Sequence, residues 1–80
     1  MNEELAKKAR QSAYDRLISS LLPGNKNPDV QEKFRKMLLE GKLDDRRIEI
    51  TFSHGSKRTM SVKEVSELLY KEEYEKLKRN

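Results

Sequence analysis

The sequence has no cysteine, so neither a disulfide nor a thiolate-bound metal can brace it. That absence fits a reducing compartment. Its three glycines do not supply a phosphate-cradling loop. The Walker pattern GxxxxGK[ST] is met neither by Gly24-Asn25-Lys26 nor by Gly55-Ser56-Lys57. The one histidine, His54, has no second protein ligand of the usual zinc type. Ser12, Ser19 and Ser20 lack a companion histidine that would argue for a triad. Asp44-Asp45 are adjacent carboxylates in a turn, pointing apart rather than sharing acid–base work. No run approaches the roughly 20 apolar residues of a membrane span. Met1-Asn2-Glu3-Glu4 lacks the basic-then-apolar layout of a secretory signal. These absences predict a soluble, cytoplasmic chain with no catalytic, cofactor or metal site of its own.

What is present is charge and periodicity. Charged residues make up 40% of the 80 positions and hydrophobic ones 34%, near the border where chains stop folding alone. The apolar residues are periodic, however, and one small domain over residues 1–80 is expected. The net charge of +4 comes from 18 cations and 14 anions, interleaved rather than blocked by sign. It leaves a small basic nucleic-acid-binding protein as the alternative function, with Lys57-Arg58 as its patch. Exposed aromatic platforms for bases are not expected, because Phe52 is predicted inward.

Leu5–Leu22 is the longest predicted helix. Leu5, Ala6, Ala9, Ala13, Leu17 and Leu21 recur at helical steps, with Tyr14 and Ile18 widening the stripe. Alanines early in the stripe admit a close partner helix, and Pro23-Gly24 stops the helix. Asn27-Pro28 opens a second helix, with Val30, Phe34, Met37 and Leu38 on one face and Gly41 past its end. Leu39 points away from that face. After a Lys42–Asp45 connection the period falls to two. Ile48, Ile50 and Phe52 alternate with Arg47, Glu49 and Thr51. Ser53–Ser56 reads as a turn, and Arg58, Met60 and Val62 alternate with Thr59 and Ser61. An antiparallel hairpin set on the helices follows. Ser61-Val62-Lys63-Glu64 is a capping box for the last helix, with Val62, Val65 and Leu69 inward and Leu68 and Tyr70 flanking. Glu73 interrupts the stripe, so 71–80 is expected to project beyond the core.

Three stretches, in order, carry a resemblance. The first runs from Ala9-Arg10-Gln11-Ser12-Ala13-Tyr14-Asp15-Arg16-Leu17-Ile18 to Leu21-Leu22-Pro23. The second is Phe34-Arg35-Lys36-Met37-Leu38-Leu39-Glu40-Gly41-Lys42-Leu43-Asp44-Asp45, leading into Ile48-Glu49-Ile50. The third is Lys57-Arg58-Thr59-Met60-Ser61-Val62-Lys63-Glu64-Val65, then Leu68-Leu69 and Glu72-Glu73. Together they resemble the intermediate (I) domain of the HslU (ClpY) family, the AAA+ ATPase subunit of the bacterial HslUV protease. The resemblance implies a mainly α domain with a small β-hairpin: two long antiparallel end-helices, a short middle helix and two strands. It also implies a noncatalytic accessory role, admitting and engaging protein substrates before unfolding. The implied partners are unfolded or tagged proteins, the parent AAA+ hexamer and, through it, the HslV peptidase. ATP and Mg belong to the full-length parent, whose nucleotide-binding core has no counterpart here. In the family a long, variable segment separates the two strands, whereas only Ser53–Ser56 lies between Phe52 and Lys57 here. Ser53, His54, Gly55, Ser56 and Lys57 are therefore the candidate substrate-facing turn.

Overall fold

Alanine at two positions decides how the helices meet. The computed structural model describes residues 3–52 and 54–79. Its elements are α1 (Glu3–Leu21), α2 (Pro28–Leu39), β1 (Arg47–Thr51), β2 (Lys57–Ser61) and α3 (Val62–Arg79). α1 packs mainly against α3, and Ala9 and Ala13 are fully buried where the two run close. The two run in the same direction rather than antiparallel as expected: Arg10 of α1 meets Ser66 and Tyr70 of α3, and Arg16, further along α1, meets Glu72 and Glu73, further along α3. Leu17 and Ile18 share the core with Val62, Val65 and Leu69. Leu38, Leu43, Ile50 and Phe52 complete it.

The element boundaries follow local chemistry. The Asn27 side chain accepts from the Asp29 N–H at 2.9 Å, capping α2 ahead of Pro28. At its far end the Gly41 N–H donates to the Leu38 carbonyl and the Lys42 N–H to the Met37 carbonyl. This is the Schellman pattern, and Gly41 supplies the positive φ of 76° it requires. At the start of α3, the Val62 N–H donates to the Arg46 carbonyl (2.7 Å) and the Lys63 N–H to the Asp44 carbonyl (3.2 Å). The Glu64 N–H donates to Ser61 Oγ, which in turn donates to the Glu64 carboxylate, both at 3.3 Å. Three otherwise orphaned helix donors are thereby satisfied, and the hairpin is tied directly to α3.

β1 and β2 pair antiparallel, with Ile48 opposite Met60 and Ile50 opposite Arg58. Ile50 and Phe52 enter the core, as the period of two predicts. Several expectations are corrected. α1 begins at Glu3 rather than Leu5. Leu43, placed in a polar connection by the sequence reading, is buried, because the turn after Gly41 folds it under the sheet. The distal half of α3 does not project beyond the core. Arg16 of α1 pairs with Glu72 and Glu73, and Glu72, Glu73, Tyr74 and Leu77 are half-buried. Charge and aromatic contacts to α1 replace the apolar stripe there. Leu68 and Leu39 are exposed, and nothing among the described residues covers Leu39. Asn80 lies outside the described residues.

Candidate functional site

The hairpin turn is where the sequence placed the site. Ser53 lies outside the described residues. His54, Gly55 and Lys57 are exposed and Ser56 is half-buried. The Phe52 N–H donates to the Ser56 carbonyl and the Gly55 N–H to the Phe52 carbonyl, each at 2.9 Å. Gly55 turns the chain at a φ of +93°, a conformation side-chain-bearing residues rarely adopt. The His54 ring lies parallel to Phe52, with centroids 5.9 Å apart. His54 Nε2 and Ser56 Oγ are hydrogen-bonded at 2.6 Å.

A hydroxyl at that distance from an imidazole invites comparison with a nucleophile and its base. The pair is solvent-exposed, though, and among the described residues no carboxylate orients the ring. It acts as a staple across the turn. Among the described residues, no group of His, Cys, Asp and Glu side chains could hold a metal ion. No helix there is long and apolar enough to cross a membrane.

The hairpin sits over the helix pair with a furrow on each side, and the two furrows differ. On the β1 side, a recess of about 430 Å³ is lined by Asp15, Arg16, Ser19, Ser20 and Glu49, with Ile50 at its base. On the β2 side, two recesses meet at Leu68. One of about 410 Å³ is lined by Met60, Lys63, Glu64 and Glu67. The other, of about 270 Å³, is lined by Phe52, His54, Ser56, Arg58 and Glu72. The first furrow is lined mostly by charged and hydroxyl side chains, and the second has a more apolar floor between charged rims. Only the candidate turn residues His54 and Ser56 belong to the second; Gly55 and Lys57 stand away from it.

Two clusters on the helix pair lay beyond the sequence reading. The Arg10 guanidinium sits 4.1 Å from the Tyr70 ring centroid and 6.0 Å from that of Tyr14. Tyr70 also meets Tyr74, at 5.9 Å between centroids. Arg16 Nη1 lies 3.6 Å from both the Glu72 and the Glu73 carboxylates. Glu72 and Glu73 fall near the inner stripe of α3 opposite an arginine-bearing stretch of α1, and that spacing was the available signal. These contacts fasten α1 to α3. They bring no nucleophile or acid–base couple together.

No protein-family model matches the chain. Among curated proteins, it is 46% identical over 50 residues to an ATP-dependent protease ATPase subunit HslU from Rhodospirillum centenum. That match covers 62% of this chain and 11% of the relative. The HslU of Agrobacterium fabrum is 43% identical over 47 residues, 59% of this chain and 11% of the relative. The HslU of Bartonella tribocorum is 32% identical over 59 residues, 74% of this chain and 14% of the relative. The resemblance to HslU therefore extends over more than half of the chain. It spans only about a tenth of the length of the relatives it matches.

Proposed function

We propose, with the similarity to HslU as the premise, that this chain is a noncatalytic accessory domain of an ATP-dependent protease ATPase. Its role is to recognise and gate protein substrates ahead of unfolding. The observation that carries the reading is the match to HslU proteins over 54–74% of the chain. The matched proteins are named as ATPase subunits of an ATP-dependent protease. The cellular setting is the cytoplasm, the partners are unfolded or tagged proteins, and the peptidase is reached only through the parent hexamer.

Competition tests this. The chain, added to an intact HslU–HslV protease degrading an unfolded protein, slows degradation in proportion to its concentration. Degradation unchanged at a large excess of chain contradicts the reading, as does ATP turnover by the chain alone. The nucleic-acid alternative predicts a gel shift at low salt that weakens steeply as salt rises. Lys57 and Arg58 are exposed as it requires, but Glu72 of α3 shares a recess with Arg58, and Phe52 is 9% exposed, too buried to stack a base.

A further inference from the structure

The sheet has two strands and therefore two open edges. The register shows which backbone groups each edge offers. Phe52 bonds Ser56 and Val62 bonds Arg46 across the ladder, and the pairs between them are Ile48 with Met60 and Ile50 with Arg58. In an antiparallel ladder, alternate residues turn both N–H and C=O toward the partner strand. The groups of Lys57, Thr59 and Ser61 therefore face outward along β2, and those of Arg47, Glu49 and Thr51 outward along β1. Lys57 and Thr59 are exposed. Among the described residues, the one partner on these outward groups of Lys57 and Thr59 is Arg47 Nη2, which donates to the Thr59 carbonyl over a long 3.4 Å. Native proteins guard such edges, because they template pairing with another extended chain.

The geometry points to β2 as the docking edge for an extended, apolar segment of unfolded protein, added as a third strand. This deepens the proposed function and rests on it. Main-chain pairing supplies affinity in such additions, and alternate side chains supply selectivity. A strand laid beside β2 turns every second side chain to the face that carries Met60 and Arg58. That is the side of the furrow in which Leu68 stands 37% exposed. Large apolar side chains alternating with polar ones fill its two recesses. The rim sets Arg58 and Lys63 against Glu64, Glu67 and Glu72, and Glu72 is also paired with Arg16, so no strong net charge is selected. β1 offers the same backbone groups, but its furrow is lined by Asp15, Arg16, Ser19 and Ser20. Apolar side chains entering there would strip water from charges and hydroxyls without pairing them. The difference between the furrows selects both the edge and the occupant.

The test is amide exchange and chemical-shift mapping by NMR on the full chain, titrated with reduced, carboxymethylated α-lactalbumin, a permanently unfolded protein. Saturation is expected to slow exchange at Lys57 and Thr59 by at least about tenfold, as for exposed amides that gain a main-chain bond. Glu49 and Thr51 stay unchanged, and so does affinity between low and high salt. Thr59→Pro removes an outward N–H and no ladder bond. It is expected to weaken binding by about tenfold or more, the loss of roughly one or two hydrogen bonds. Leu68→Glu, at an exposed site, does the same through the furrow floor. Retained binding by both variants, or protection confined to β1 or to the helices, overturns the docking edge and leaves the accessory role standing. Absence of any binding overturns both. Protection of Thr59 before the probe is added, with dimers in sedimentation, also overturns the proposal, because a second copy would then hold the edge.

Discussion

The helix pair and the hairpin laid over it are built on different terms. Ala9, Ala13, Leu17, Val65 and Leu69 are each 0% exposed, and the two helices seal one another. In β1 and β2 only Ile50 is buried, and Lys57, Arg58 and Thr59 lie open. One part is closed by close packing, and the other is attached by Ile50, Phe52 and the backbone ties at Arg46 and Asp44. A protein this polar places its apolar residues where two helices approach. Its hairpin is left with unpaired edges and a furrow on either side.

The comparison breaks most sharply at Leu17. Leu17→Ala should cost about 2–5 kcal/mol, comparable with the roughly 3–5 kcal/mol a core of this size supplies. Far-UV circular dichroism should show a largely unfolded chain. Retention of a cooperative melt near the parent temperature would place the stability elsewhere. Ala13→Leu should cost about 1–3 kcal/mol by forcing α1 and α3 apart, read as a lowered urea midpoint. The same change at half-buried Ala6 should cost less. Ser61→Ala removes the cap that joins the two regions and should cost about 1 kcal/mol, with faster amide exchange at Glu64. His54→Ala should stay within about 0.5 kcal/mol. Its exposed ring staples only the turn, and a larger loss would make the hairpin tip part of the core.

Local rules made much of this legible from sequence. Asn27-Pro28, Gly41 and the Ser61–Glu64 box act within a few residues of themselves, so their spacing was enough. The change of period at Ile48 marked the sheet for the same reason. Leu43 could not be read, because an isolated leucine among charges is buried only by tertiary folding. Glu73 misled, since a charge on an apolar stripe implies its end unless the opposing helix supplies Arg16. The turn over His54 to Ser56 was legible from its residue types, with Lys57 already opening β2. The contrast between the two furrows depends on which side chains of α1 and α3 border each strand. The pattern of one strand does not contain that information.

Hydrogen exchange on the free chain, amide by amide, tests the central claim of a sealed helix pair carrying a hairpin with an open edge. The amides of Ala13, Leu17, Val65 and Leu69 should exchange only through global unfolding, while those of Lys57 and Thr59 exchange near the rate of unstructured peptide. Equal protection in both regions, or a protected Thr59 in the free monomer, would contradict it.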